Sequence, residues 1–176
     1  MTSRRIGDIM MPLEMFPYCP YWFTLRQAFA EIEDMEIKRP DGRPVPWLIL
    51  VFSAQNQLLG MVQRRDILQG MNAQLNVGRM QQPATGVTAA PSDPDLFRLG
   101  FSASKVTNDL REQLQRKIIE FITPIEITVS YNDPALIAMY VMIEHNFSFV
   151  PVSREGRIVG LAYAEDVLRE TIAEIV

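Results

Sequence analysis

The chain has 176 residues, of which 48% are hydrophobic and 22% charged, a balance that is ordinary for a globular domain. Its formal net charge of −4 argues against a nucleic-acid partner, because binding to a phosphate backbone normally requires a basic surface. No apolar run reaches the roughly 20 residues of a membrane span, no apolar signal core follows the start, and a single cysteine excludes an internal disulfide, so we expect a cytoplasmic protein without a membrane partner.

The first part of the chain predicts a helix, a loop and a hairpin. One helix face carries Leu25, Ala28, Phe29, Ile32 and Met35 at three- and four-residue spacing. Two strands are expected at 47–52 and 58–62, joined by a turn at 54–57. Between helix and hairpin, residues 36–46 contain three prolines and a glycine, which predicts a surface loop.

A long connection follows, from about residue 71 to residue 115. Its middle, 82–95, holds three prolines and small polar residues, so an irregular course is expected. From residue 105 a helix is predicted by Val106, Leu110, Leu114 and Ile118 at four-residue spacing. Connections of this length are unusual within a compact domain, and either a cover for the junction between two halves or a tether would explain it.

The last part predicts strand, helix, hairpin and helix again. Residues 125–129 alternate as a short strand, and 132–134 offer Asn or Asp as a cap and Pro as a first helical residue. The helix 135–144 is apolar all round, which requires burial on more than one side. Strands at 147–152 and 158–162 flank a turn at 154–157, and a final amphipathic helix carries Val167, Leu168, Ile172 and Ile175.

The two ends of the chain also resemble each other in sequence. Gly60-Met61-Val62-Gln63-Arg64-Arg65-Asp66-Ile67-Leu68 recurs as Gly160-Leu161-Ala162-Tyr163-Ala164-Glu165-Asp166-Val167-Leu168. Ile9-Met10-Met11-Pro12 recurs as Phe121-Ile122-Thr123-Pro124. An internal repeat of this kind predicts duplicated structural units, with a site or a pair of sites between them.

This order of elements and motifs resembles the cystathionine-β-synthase (CBS) domain in two tandem copies, a CBS-domain pair or Bateman module. The resemblance rests on the Asp8–Pro12 start, the Phe149-Val150-Pro151-Val152 strand and the recurring glycine-to-aspartate motif. It implies a mixed α/β (α+β) fold with two βαββα repeats packed about a pseudo-twofold axis. We expect repeat 1 at 1–70 with an insertion at 36–46, a linker at 71–115, and repeat 2 at 116–176.

The resemblance also implies a regulatory ligand of the adenosine type, such as AMP, ADP, ATP or S-adenosylmethionine, and no covalent cofactor. Its usual motif places a hydroxyl near phosphate and a carboxylate near ribose. This chain keeps both carboxylates, Asp66 and Asp166, but has Gln63 and Tyr163 where the hydroxyls would be. Gln63 with Arg64 equips the first site better, whereas Tyr163 would fill the second cleft or stack on a base. Alternatively, the two aspartates only favour the macrodipole of their helices.

Residues suited to catalysis are few. His145 is the only histidine, at a helix end, and Cys19 has no histidine near it in sequence. No cysteine and histidine spacing predicts a metal site. We therefore expect no enzyme but a sensor that passes its ligand state to an effector protein. The alternative is a ligand-free dimerisation module.

The apolar helix 135–144 predicts a homodimer. Its counterpart in the first half carries Arg26, Gln27 and Glu31, so the fold itself does not require an apolar surface there. The second face of the later helix needs a cover from the linker or from another subunit. Small Ala138 is expected to lie in that contact.

Overall fold

The computed structural model describes residues 4–33, 42–43, 47–75 and 103–175. Most of the predicted loop 36–46, as well as the predicted irregular stretch 82–95, lies outside these ranges. The helices are α1 (Ile6–Ile9), α2 (Leu25–Glu33), α3 (Arg64–Leu75), α4 (Ala103–Leu114), α5 (Ala135–His145) and α6 (Ala164–Ile175). The strands are β1 (Met11–Pro12), β2 (Tyr18–Pro20), β3 (Leu48–Phe52), β4 (Leu58–Gln63), β5 (Thr123–Pro124), β6 (Val129–Ser130), β7 (Phe149–Arg154) and β8 (Arg157–Tyr163).

Two four-stranded sheets repeat one plan. One sheet has the order β2-β3-β4-β5 and the other β1-β8-β7-β6. In each, a hairpin pairs antiparallel and a short strand joins it in parallel, β2 with β3 and β6 with β7. A helix precedes each hairpin and another follows it directly, so Asp66 and Asp166 both stand third in their helices. The prediction of a mixed fold with two repeated units is confirmed.

The two halves exchange their first strands. β1 comes from the first half but pairs with β8, and β5 comes from the second half but pairs with β4. The registers correspond, since Pro12 lies opposite Gly160 and Pro124 lies opposite Gly60. Each sheet is therefore completed by the other half of the chain.

The repeated glycine is required by this exchange. A Cβ atom at Gly60 would stand 2.5 Å from the Thr123 carbonyl oxygen, and one at Gly160 would stand 2.5 Å from the Met11 carbonyl oxygen. Both obstacles are backbone atoms, which cannot rotate away as a side chain can. The glycine that opens the sequence repeat thus lets the exchanged strand approach.

The hydrophobic core has three parts. Each half buries one cluster that consists mainly of its own residues, such as Leu25 and Val62 in the first and Ala138 and Val150 in the second. The other half contributes Ile118 and Phe121 to the first of these clusters, and Ile6 and Ile9 to the second. The third cluster combines residues of both halves: Met11, Phe16, Leu48, Leu50, Met61, Leu161 and Tyr163. This shared core packs the two halves against each other, as their exchanged strands require.

Three local predictions are wrong. The strand predicted at 125–129 is limited to Val129–Ser130, because β5 pairs with the other sheet and 125–128 must cross from one sheet to the other. Asp133 does not cap α5, whose N-cap is Pro134, because its carboxylate accepts the Ser130 N–H at 2.8 Å. Ile118 lies beyond α4, in a 3-10 turn at Ile118–Phe121.

Ala138 does not face a partner subunit as predicted. Its side chain is 0% exposed and belongs to the core of its own half. The residues that α5 turns outward are Leu136, Ile137, Tyr140 and Ile143. A spacing of three and then four residues places Ala135, Ala138 and Met142 on the inner side, and a helix that is apolar all round does not reveal this side in its sequence.

Candidate ligand-binding cleft

A cleft lies where the first half's hairpin meets the segment that crosses between the sheets. Its cavity measures about 190 Å³ and is lined mainly by apolar atoms. Three segments form it: the end of β4 with the start of α3, the stretch 123–127, and the start of β7. The lining residues are Met61, Gln63, Arg65, Thr123, Pro124, Ile125, Glu126, Ile127, Phe147, Ser148, Phe149 and Pro151.

The β4–α3 junction supplies the polar side of the cleft. β4 ends at Gln63 and α3 begins at Arg64 without an intervening loop. Strand alternation places Met61 and Gln63 on one side of the sheet, and Arg65 from the first turn of α3 lines the same cavity. Asp66 accepts the Gln63 N–H at 2.8 Å, which holds this junction as a side-chain cap. Gln63 and Arg65 thereby line the cavity from a fixed helix start.

The other two segments supply an apolar wall. Ile125, Glu126 and Ile127 all line the cavity. The two isoleucines are half-buried, whereas Glu126 is exposed. Phe147, Ser148 and Phe149 add two aromatic rings and a hydroxyl. The ring of Phe147 stacks on His145, with centroids 5.5 Å apart and an interplanar angle of 25°. A flat, apolar group would therefore find aromatic and aliphatic surfaces in this cleft.

Charges of both signs stand at the cavity. Arg65 lies at the N-terminus of α3, where unpaired backbone N–H groups also favour an anion. Its Nε stands 3.9 Å from Asp66 Oδ1, and its side chain remains 60% exposed, so it can turn to a ligand. Glu126 adds one negative charge to the lining. The polar residues of this cleft suit a ligand that is held by hydrogen bonds and by one positive charge, that of Arg65.

Cys19 is not suited to act as a nucleophile. It lies buried in the core of the first half. Burial, assisted by the negative charge of Glu31, raises the pKa of the Cys19 thiol to about 12. The thiolate, which is the reactive form, is therefore scarce near neutral pH.

The structure places some of the predicted site residues at the cavity and others away from it. Gln63 lines the cavity, and Asp66 stands beside it as the cap described above. Arg64 points elsewhere, with its guanidinium carbon 5.7 Å from the Trp47 ring centroid, and its neighbour Arg65 lines the cavity instead. No local sequence signal distinguishes Arg65 from Arg64, because both stand in the first turn of α3.

The equivalent position in the second half is built differently. Tyr163 pairs with Phe149 across its hairpin as Gln63 pairs with Leu48, but its side chain is buried. Its ring packs on Phe16 and Phe149, with centroids 6.3 and 5.8 Å away. Tyr163 is therefore part of the core shared by the two halves.

Asp166 is buried too, and it is paired with arginines. Its side chain is 6% exposed, and Oδ1 accepts from Arg43 Nη1 at 3.0 Å and from Arg169 Nη1 at 3.4 Å. Arg43 belongs to the loop that precedes β3 in the first half. This loop has no counterpart in the second half, where 146–148 alone connect α5 to β7. A contact 123 residues apart in sequence carries no local signal.

An apolar surface covers the outer side of α5 and α6. The stripe predicted on α6 is split, because Val167 faces the core whereas Leu168, Ile172 and Ile175 are exposed. Together with the four outward residues of α5 they form what we call the α5–α6 face. The corresponding residues of α2 include Arg26 and Gln27, so the apolar surface is a property of the second half.

Two classes of feature are missing from the described residues. Across 4–33, 42–43, 47–75 and 103–175, no helix combines the length and apolarity that crossing a bilayer requires. Within the same ranges, no group of three or more His, Cys, Asp or Glu side chains could hold a metal ion.

Comparison with known proteins identifies the fold. Residues 118–172 match the family model of the CBS domain. None of the curated proteins compared with the chain matches its sequence. A CBS-domain containing protein from Agrobacterium tumefaciens has a similar structure, with a TM-score of 0.58 at 16% identity over 97% of this chain and 95% of that one.

Two further similar structures are complexes with nucleotides. CBSX2 in complex with AMP aligns with a TM-score of 0.58 at 14% identity, over 97% of this chain and 98% of that one. The cytosolic domain of the Mg²⁺ channel MgtE in complex with ATP aligns with a TM-score of 0.54 at 16% identity, over 95% of this chain and 49% of that one. The chain thus has the fold of a CBS-domain pair, as the resemblance of its motifs to that family implied.

Proposed function

We propose that this CBS-domain pair is a cytoplasmic regulatory module that binds an adenosine-type nucleotide in the cleft lined by Gln63 and Arg65. The observation that carries the proposal is the composition of that cleft: aromatic and aliphatic walls, with a cation and an amide at a helix start. Such walls suit a purine, and such a helix start suits a phosphate. Similar structures described with AMP and ATP support the same ligand class.

The proposed binding mode divides the nucleotide between the wall and the mouth of the cleft. The cavity of about 190 Å³ is smaller than the roughly 300–1,000 Å³ of sites that enclose a whole ligand. It therefore receives the base, against Phe147 and Phe149, and leaves the phosphate at the mouth. Arg65, rather than the predicted Arg64, would meet the phosphate there.

Asp66 would contact the ribose in this mode. It already accepts the Gln63 N–H, but an ionised carboxylate has about four acceptor positions, so a ribose hydroxyl can still donate to it. One carboxylate would then hold both the helix start and the sugar. Binding would tighten the junction between β4 and α3, which lies beside the exchanged strand β5.

The output would follow by population shift. A nucleotide that bridges the β4–α3 junction and the crossing segment 123–127 favours the arrangement of the halves that it bridges best. An effector protein that binds one arrangement more tightly would then respond to the nucleotide concentration. No reaction of the nucleotide is part of this proposal.

A titration with AMP, ADP, ATP and S-adenosylmethionine tests the proposal. A specific ligand at a hundred times its Kd should stabilise the protein by about 2.7 kcal/mol. That corresponds to a rise in Tm of roughly 5–11 °C for a chain of this size. The absence of a shift with all four ligands would refute it.

Arg65→Ala identifies the phosphate contact, and Arg64→Ala is its matched control. Both remove one positive charge from the first turn of α3, but only Arg65 lines the cavity. We expect Arg65→Ala to weaken AMP by about 1.5–3 kcal/mol, which is the range for a hydrogen bond to a charged group. S-adenosylmethionine has no phosphate and should be little affected. Equal losses in both variants by calorimetry would exclude a specific contact.

A second candidate function is assembly, and the α5–α6 face supports it. Seven exposed apolar side chains lie on two adjacent helices of one half, and such patches mark interfaces. We propose that this face forms a homodimer. Leu168→Glu should then yield a monomer, whereas Leu68→Glu, at the equivalent and also exposed position of α3, should not. Sedimentation at micromolar concentration decides it, and a monomeric wild type would contradict the dimer.

A further inference from the structure

Arg43, in the connection between α2 and β3 of the first half, contacts the second half. Its Nη1 donates to Oδ1 of Asp166, which stands on α6, at 3.0 Å. The Asp166 carboxylate is nearly inaccessible, with 6% of its side chain exposed, whereas 38% of the Arg43 side chain is exposed. This ion pair lies where a carboxylate equivalent to Asp66 would meet a ligand.

The two clefts differ at three places, and each difference makes the second cleft less accessible to a ligand than the first. In the first, Gln63 is short and lines an open cavity, whereas Tyr163 is buried in the shared core. In the first, Asp66 accepts a backbone N–H, whereas Asp166 accepts from an arginine outside its own half. The third difference is the inserted loop itself, which is absent between α5 and β7.

We infer that Arg43 is a built-in ligand of the second cleft, and that it limits the protein to one nucleotide per chain. The guanidinium supplies the cation and the hydrogen-bond donors that would otherwise come from a bound molecule. A ligand that approached Asp166 would have to displace Arg43, and at the position equivalent to Gln63 it would find Tyr163 packed into the core shared by the two halves.

This inference rests on the proposed function only in its choice of probe. Isothermal titration with AMP counts the molecules bound per chain in the wild type and in Arg43→Gln/Tyr163→Gln. The second substitution gives the second cleft the residue that stands at the same place in the first. If the variant with Tyr163→Gln loses the circular dichroism of the folded protein, Tyr163→Ala is used in place of Tyr163→Gln. Arg64→Gln/Tyr163→Gln is the control, because it loses the same charge outside the ion pair.

The expected result is one AMP per chain in the wild type and control, and two in the Arg43 variant. Adding Asp166→Asn to the Arg43 variant should remove the gained site. If the wild type binds none but the variant binds one, the inference holds and the proposed function fails. If wild type and variant both bind one, the inference fails and the proposed function holds. No binding in any protein overturns both.

Discussion

Replacing Gly160 with alanine should separate the exchanged strand β1 from β8. The added Cβ would stand 2.5 Å from the Met11 carbonyl oxygen and 3.2 Å from its carbon, and it would also meet the Met10 sulfur at 2.7 Å. The sulfur can move, since it ends a flexible side chain, but the carbonyl belongs to the paired backbone. Relief therefore requires that β1 shift away from its partner.

The cost should lie at the upper end of the range for overpacking, about 3 kcal/mol, because the obstacle is backbone. For a chain of this size that corresponds to a fall in Tm of roughly 6–12 °C. Gly60→Ala should cost a similar amount in the other sheet, where the Thr123 carbonyl oxygen is the obstacle at 2.5 Å.

Urea unfolding of both variants and of Gly156→Ala measures the effect. Gly156 has φ +76° and open space around it, so alanine there costs only its backbone conformation, about 1–2 kcal/mol. Gly60→Ala and Gly160→Ala should both be less stable than this control. If either strand-facing variant unfolds within 0.5 kcal/mol of wild type, the close approach of the exchanged strand is refuted.

Two further predictions concern thiol reactivity and the carboxylates. Because burial raises the pKa of Cys19 to about 12 and encloses the side chain, Ellman's reagent at pH 8 should react with it only after unfolding; rapid reaction of the native protein would contradict its burial. Asp66→Ala should weaken AMP by about 1.5–3 kcal/mol, whereas Asp166→Ala should leave affinity unchanged because Arg43 already occupies that carboxylate. Both variants and the wild type are titrated with AMP by calorimetry, and an equal affinity in all three would show that Asp66 does not contact the ligand.

Much of the fold could be predicted from sequence because its signals are local. The hairpin at 154–157 is marked by Glu155 and Gly156, and both adopt the positive φ that this turn requires. The repeat of glycine and aspartate placed α3 and α6 at equivalent positions. These features depend on neighbours a few residues away, which pattern and turn chemistry describe well.

The strand exchange could not be predicted in the same way. β1 and β5 are two residues long, and their partners lie far along the chain. The alternation of 125–129 predicted a strand, yet 125–128 form a crossing segment, of which Ile125, Glu126 and Ile127 line the cleft. An alternating sequence indicates that one side of a segment is buried. It does not indicate which strand the segment pairs with, or whether it pairs at all.

The site was predicted in part for related reasons. Gln63 and Asp66 follow from the repeat, since their positions relative to the helix start are fixed by local geometry. The pairing of Arg43 with Asp166 depends on where an inserted loop reaches, which sequence spacing does not encode. Ala138 was misplaced because an all-apolar helix hides which of its sides is the inner one.

A crystal structure grown with saturating AMP tests the central claim most directly. The account predicts one nucleotide per chain, with its base against Phe147 and Phe149 and its phosphate at Arg65. It also predicts that the ion pair between Arg43 and Asp166 persists in that complex. An empty first cleft, or AMP bound at Asp166 in place of Arg43, would contradict the account.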